Sequence, residues 1–228
     1  PLMRVVSLLP SATEIVAALG GMEHLVGVTH CCDYPPQVDS RVRVTRTAID
    51  ADAAPGAVDA QVREITASGA PLYTLEEERI RALKPDLILT QALCEVCAVM
   101  ETDVRAVAAR LTPTPQVLTL SATSLDGVLD DIVAVGAAMD LADEATEFVA
   151  GARARMRRVH ETLKAAQAPR PRVAVIEWGD PIYAAGHWVP EMVKRAGGID
   201  VLTTAGEHSV VKSLAQVRAA DVEILLIA

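Results

Sequence analysis

Short apolar runs alternate with helix-period segments along most of the chain, and no feature narrows the fold more. The runs at residues 5–9, 25–28, 87–90, 116–120 and 173–176 are each too short for a helix and apolar almost throughout. A strand with one wet face would alternate instead; continuous apolarity marks strands covered on both faces. Between them, segments such as 58–68, 76–83 and 98–111 carry apolar residues at helical spacing. Strands separated by helices at this spacing specify an α/β fold with a mostly parallel sheet.

Between residues 124 and 168 the strand signal disappears. Leu125, Val128, Leu129, Ile132 and Val135 follow helical spacing, and after a break near Asp140 a second helical run extends from 142 to 166. The spacing therefore predicts three parts: an α/β lobe over residues 1–123, a helical connector over 124–168, and a smaller α/β lobe over 169–228. The second helix spans about 37 Å at 1.5 Å per residue. The stretch around 51–57, rich in Ala, Gly and Pro, reads as a loop.

Composition removes several functions. The chain carries 30 acidic and 21 basic residues, a net charge of −9, which disfavours nucleic acid as a partner. No apolar run approaches the roughly 18 residues needed to span a bilayer. Aromatics are only 3% of residues, so the core is built from Ala, Val, Leu and Ile. Met3-Arg4 leads directly into the first strand with no signal-peptide pattern, and four cysteines are too few for a disulfide framework. These two features favour the cytosol.

The chemistry-bearing residues cluster in loops after strands, the edge where open α/β sheets bind ligands. After residues 25–28 come His30, Cys31, Cys32, Asp33 and Tyr34, closed by Pro35-Pro36. After residues 87–90 come Gln91, Cys94, Glu95 and Cys97. The first strand runs into Pro10-Ser11-Ala12-Thr13-Glu14, where Ser11 and Glu14 have capping-box spacing and a helix amino end faces the same edge. In the second lobe Trp178 follows the strand at 173–176, and His187 and Trp188 lie on a later loop. Imidazole and thiols together are ligands for zinc or iron, and His30, Cys32, Cys94 and Cys97 make a tetrahedral set if the fold unites them. A disulfide within Cys94-x-x-Cys97, or between either and Cys32, is the other use of those thiols. His24, His160 and His208 read as surface residues. No nucleophile–base pattern accompanies Glu14 and Glu177, so a non-enzymatic protein is expected.

Four stretches taken together resemble a known family. They are Leu9-Pro10-Ser11-Ala12-Thr13-Glu14; Val26-Gly27-Val28 with Asp33-Tyr34-Pro35-Pro36; Ala82-Leu83-Lys84-Pro85-Asp86-Leu87-Ile88-Leu89; and Glu177-Trp178-Gly179 with Ala196-Gly197-Gly198. The chain thereby resembles substrate-binding proteins of ABC importers in the iron-siderophore, haem and cobalamin class, closest to its cobalamin binders. The resemblance implies two α/β lobes joined by one long helix. It also implies a ligand between the lobes: cobalamin, with haem or a ferric siderophore as relatives. It assigns ligand contacts to Ser11, Thr13, His30, Cys31, Cys32, Asp33, Tyr34, Gln91, Cys94, Glu95, Trp178, His187 and Trp188. It further implies an ABC permease partner met by Glu78, and an extracytoplasmic location, against the cytosol favoured by the first residues. Two departures stand out. Cys31 falls where the cobalamin binders carry a tyrosine, and Lys194 falls where a second acidic docking residue is expected. Members of the class also continue beyond the last strand, whereas this sequence stops at Ala228. The competing reading is a cytosolic metal- or thiol-dependent protein using Cys32, Cys94 and Cys97.

Overall fold

A computed structural model describes residues 2–92 and 98–228. The chain divides into two units: one of Pro1–Asp50, Val62–Ser121 and Asp130–Val149, the other of Ala51–Gln61, Ala122–Leu129 and Ala150–Ala228.

The first unit begins β1 (Val5–Ser7), α1 (Pro10–Ala18), β2 (Leu25–Val28), a 3-10 turn (Pro36–Ser40), β3 (Val42–Arg43) and β4 (Thr45–Thr47). It continues α2 (Pro55–Ser68), β5 (Tyr73–Leu75), α3 (Glu77–Leu83), β6 (Leu87–Gln91), α4 (Glu101–Ala108) and β7 (Gln116–Leu120). Then follow α5 (Leu125–Ala138) and the 24-residue α6 (Ala142–Ala165). The unit boundaries fall inside α2, α5 and α6.

The main sheet has the order β3-β2-β1-β6-β7, every pair parallel. Val5, Val6, Leu25, Leu87, Ile88 and Leu89 are at most 1% exposed, as continuous apolar runs require. The chain leaves β1 for β2 on one side and returns to β6 on the other, so the strand order reverses at β1. In an open α/β sheet the crevice for a ligand opens at the carboxyl ends of the strands around such a reversal. Gly27 lets β2 sit against its cover: a Cβ there would lie 2.7 Å from Leu83 Cδ1 and 3.0 Å from Val44 Cγ1.

The second unit carries β8 (Arg172–Gly179), β9 (Ile182–Ala184), α7 (Val189–Arg195), β10 (Ile199–Asp200), β11 (Val210–Val211), α8 (Leu214–Ala219) and β12 (Ile224–Ile227). Its sheet is mixed: β8 pairs in parallel with β10 and β12, whereas β9 runs antiparallel to both β8 and β11. The α/β class holds, but this sheet is not purely parallel, because Asp180-Pro181 forms the corner of a hairpin. Glu177 and Trp178 accordingly lie on β8 itself and not in a loop after it.

Other boundaries also differ, two of them at a first-turn proline. The loop expected at 51–57 gives way to helix at Pro55, and α1 starts at Pro10. Ser11 is therefore inside the first turn and caps nothing; the N-cap is Leu9, without a side-chain bond. Proline ends helices from within but suits their first turn, where its missing N–H has no partner to lose. Ser213, by contrast, does form a capping box with Gln216. The helix expected at 98–111 is the shorter α4, with Met100 as N-cap. His24, expected at the surface, is half-buried with Nδ1 enclosed and unbonded, while His160 and His208 are exposed.

Candidate functional site

Two hydrogen-bond chains build the carboxyl edge of the main sheet around the turn that follows β2. In the first, Ser7 Oγ at the end of β1 donates to Leu9 O (2.9 Å) and accepts from Thr13 Oγ1 (2.9 Å). Thr13 Oγ1 also lies 3.1 Å from Cys32 Sγ. The Thr13 proton being committed to Ser7, the Cys32 thiol is the donor in that contact. All three side chains are buried, Cys32 at 2% exposure. The chain ties α1 to β1 and to the turn.

The second chain fixes His30. Its backbone N–H donates to Thr45 Oγ1 (2.9 Å), and Thr45 Oγ1 donates to Thr29 Oγ1 (3.0 Å). His30 Nδ1 approaches the same Thr45 oxygen at 2.7 Å. Since the Thr45 proton goes to Thr29, Nδ1 carries a hydrogen and Nε2 is the free lone pair; the network, not a located hydrogen, assigns this tautomer. Nε2 meets Cys31 Sγ at 3.0 Å, accepting from the thiol. Behind the imidazole, the Tyr73 ring lies 5.5 Å away.

Arg43 holds the turn from below, Nη1 donating to Cys32 O (2.6 Å) and Thr29 O (3.1 Å). Partial burial, assisted by this guanidinium, pushes the His30 pKa down, and burial pushes both the Cys31 and Cys32 thiols up. The pair is therefore a neutral imidazole and a neutral thiol at pH 7.

The two adjacent cysteines face opposite ways. Cys31 is exposed and Cys32 is buried, and both are free thiols. Nothing in the sequence distinguished them; the turn did, by sending alternate side chains to opposite sides. Asp33 and Tyr34 lie on the outer rim, Tyr34 at 61% exposure. Ser11 is exposed in the first turn of α1, and Gln91 ends β6 half-buried. Cys94, Glu95 and Cys97, three of the expected ligands, fall outside the described residues. His30 and Cys32 have separate partners, and among the described residues no group of three or more His, Cys, Asp or Glu side chains is placed to hold a metal ion.

Sequence reasoning missed Thr29, Thr45 and Tyr73. Thr45 is the anchor of His30 yet sits 15 residues away on another strand. A threonine in a β-rich stretch carries no mark of that duty. Thr90, fully buried near the end of β6, has an Oγ1 with no hydrogen-bond partner among the described residues.

In the second unit the Trp178 indole N–H donates to Asp180 O across the hairpin corner (2.9 Å). His187 has left-handed backbone (φ 52°), its N–H donates to Glu207 O (2.6 Å), and its ring stands edge-on to His208 at 5.1 Å and 6.0 Å from Trp188. Nδ1 of His187 is buried without a partner among the described residues. Burial, reinforced by His208, lowers its pKa. Glu78 is exposed on α3 and pairs with Arg81; Lys194 is exposed on α7.

The notch lined by Leu8, Thr29, His30, Cys31, Thr45 and Tyr73 encloses only about 10 Å³. A ligand there lies over the rim, not within a cavity. A larger pocket of about 740 Å³ belongs to the second unit and is lined by His160, Lys164, Arg170, Lys194 and Arg195 among others, but by none of the expected ligand residues. Size favours the second pocket; donor chemistry and strand order favour the first.

The family described as periplasmic binding protein matches residues 5–228. No curated protein matches in sequence. Among solved structures, the periplasmic vitamin B12 binding protein BtuF of Vibrio cholerae superposes with a TM-score of 0.69 at 23% identity, over 100% of this chain and 77% of its own. A periplasmic heme binding protein from Pseudomonas aeruginosa gives 0.72 at 23%, over 99% and 71%. The heme-binding protein RhuT from Roseiflexus sp. RS-1 gives 0.70 at 22%, over 100% and 76%. At these identities the likeness establishes the fold. Among the described residues no helix is long and apolar enough to cross a membrane.

Proposed function

As the chain belongs to the periplasmic binding protein family, we propose that it captures cobalamin or a related metal-bearing macrocycle and delivers it to an ABC permease, without catalysing a reaction. The observation that carries this reading is the strand-order reversal at β1. There, at the carboxyl edge of the sheet, one exposed turn presents an anchored imidazole, a thiol and an exposed tyrosine. A flat macrocycle needs an apolar bed and few polar contacts; Leu8, Ala98 and Val99 supply buried apolar surface beside the notch. Ser11, Asp33 and Tyr34 on the rim, and Gln91 at the end of β6, are the proposed further contacts from this edge. Trp178, Trp188 and His187 are the proposed contacts from the second unit. Solved structures of this fold include binders of vitamin B12 and of heme, which supports the ligand class.

Glu78 is the proposed contact to the permease: it is exposed on α3 and, among the described residues, pairs with Arg81 of its own helix. An extracytoplasmic location goes with this reading. The cytosolic thiol- or metal-dependent alternative finds no support, because the family is one of substrate binders and Cys32 is buried against Thr13.

An absorbance titration with cobalamin, haemin and a ferric siderophore tests the proposal. A saturable, stoichiometric change with at least one macrocycle is expected. If none of the three binds by equilibrium dialysis at tens of micromolar, the function is something else.

A further inference from the structure

We propose that the basic groove between α6 and the carboxyl end of α7 binds a small organic polyanion. The class is a molecule carrying two or more phosphate or carboxylate groups. The site lies in the second unit, shares no residue with the macrocycle contacts proposed above, and stands or falls without them.

The sequence sets a row of charges. Arg153, Arg157, His160 and Lys164 recur on α6 at intervals of four, three and four residues, which places them on one face of the helix. At 1.5 Å per residue the row runs for about 16 Å. It borders two adjoining hollows, one of about 740 Å³ and one of about 530 Å³, and both are lined by His160 and Arg195. Lys194 and Arg195 in the last turn of α7, and Arg170 on the segment that leaves α6, add charge from the other walls. Six of the 21 Lys and Arg side chains thus line one groove of a chain whose net charge is −9.

The carboxylates of the groove do not neutralise it. Asp126 is shared between Arg153 (2.8 Å) and Arg195 (3.7 Å). Glu191 accepts the backbone N–H of Leu125 at the start of α5 (3.0 Å). Among the described residues Glu161, the third carboxylate, forms no ion pair, and neither do Arg157, Lys164 and Lys194. Arg170 donates to Gly198 O (3.1 Å), which ties its guanidinium to the residue before β10. Like charges four residues apart repel, so such a row costs helix stability until an anion lies along it.

Shape selects the kind of anion. A basic helix face that is merely solvated, or that rests on a membrane, needs no concavity. This one is concave, with the volume of a small-molecule site. Leu163, Pro190, Gly197 and Ala205 give the larger hollow apolar surface for an organic body. The smaller hollow is lined by Arg153, Arg157 and Arg195, whose planar forks match the paired oxygens of phosphate and carboxylate. A body seated by Pro190 with its anionic tail along α6 satisfies both.

Calorimetric titration of the 228-residue chain at low salt with adenosine triphosphate, tripolyphosphate, citrate and adenosine tests the site, beside a sedimentation assay with phosphatidylglycerol vesicles. Saturable one-to-one binding of at least one polyanion is expected, with a raised melting temperature and no binding of adenosine. Tripolyphosphate against citrate tells which oxyanion is preferred, and either preference upholds the site. Lys164→Glu should weaken binding about tenfold or more, the loss of one charge-assisted hydrogen bond. Arg218→Glu makes the same change in net charge on α8, outside the groove, and should alter affinity less than about twofold. Both side chains are exposed, so circular dichroism should be unchanged in each variant. Equal losses from the two variants would mean attraction by overall charge alone and overturn the site. Absence of binding by all three polyanions, or binding confined to the vesicles, overturns it as well. Either result leaves the macrocycle titration free to succeed or fail by itself.

Discussion

Thr45 shows how the orientation of His30 depends on a buried residue from another part of the chain. Its hydroxyl accepts from both His30 nitrogens that face it and donates to Thr29. Thr45→Val keeps the shape and leaves His30 N–H and Nδ1 without their acceptor. A loss of about 1–3 kcal/mol in unfolding free energy is expected for a buried partner removed in this way. Macrocycle affinity should fall with it, since the imidazole can then rotate; urea denaturation and the absorbance titration read the two effects. His30 and His187 make a second prediction. Both have pKa values below the ordinary imidazole value, so above about 6.5 neither folded nor unfolded chain is protonated there and nothing is lost. As pH drops below that value the unfolded chain takes up the protons first, and stability declines until the folded pKa values are reached. Thermal melts between pH 7.5 and 5 should show a falling midpoint, and His30→Gln should remove part of the slope. A midpoint that rises on acidification would contradict the neutral assignment.

At the level of elements, the close approach of β2 to its neighbours depends on Gly27. Adding one methyl there meets Leu83 Cδ1, Val44 Cγ1 and Val6 Cγ2, all side-chain atoms in a packed core. Gly27→Ala should cost about 1–3 kcal/mol, the usual range for overpacking. Because Thr29 and His30 follow directly on β2, the same change should weaken ligand binding more than a distant substitution of equal cost. Comparing it with Gly136→Ala separates the two effects: that Cβ would run into Ala145 Cβ and lie 2.8 Å from Leu141 O, at the α5–α6 turn. Equal losses of affinity at equal losses of stability would remove the special role given to β2.

For the molecule as a whole, the largest anomaly is the apolar strand β12. Ile224, Leu225, Leu226 and Ile227 are 42, 51, 50 and 74% exposed, although β12 pairs in register with the central β8. An exposed apolar strand, even one of four residues, offers unpaired backbone for association. The 228-residue chain should therefore self-associate at high concentration despite its net charge of −9. Ile227→Lys, which places charge on that strand, should shift sedimentation toward monomer without changing macrocycle affinity. Unchanged sedimentation would show that β12 is not the adhesive surface.

The α/β class, the parallel order of the first sheet and the length of α6 were legible in the sequence, because burial on two faces and helical period are local patterns that packing cannot hide. So was the turn after β2, since two prolines close the stretch that follows an apolar run. The starts of α1 and α2 were also written there, in Pro10 and Pro55, once proline is taken as a first-turn residue. Three things were decided only in three dimensions. The direction of each cysteine depends on the turn's backbone, which gives Cys32 to Thr13 and Cys31 to His30. The tautomer of His30 depends on Thr45, brought from another strand. The hairpin that makes the second sheet mixed depends on β9 finding β8 across Asp180-Pro181. Each is a contact between side chains or strands whose partners the periodicity of either segment does not name.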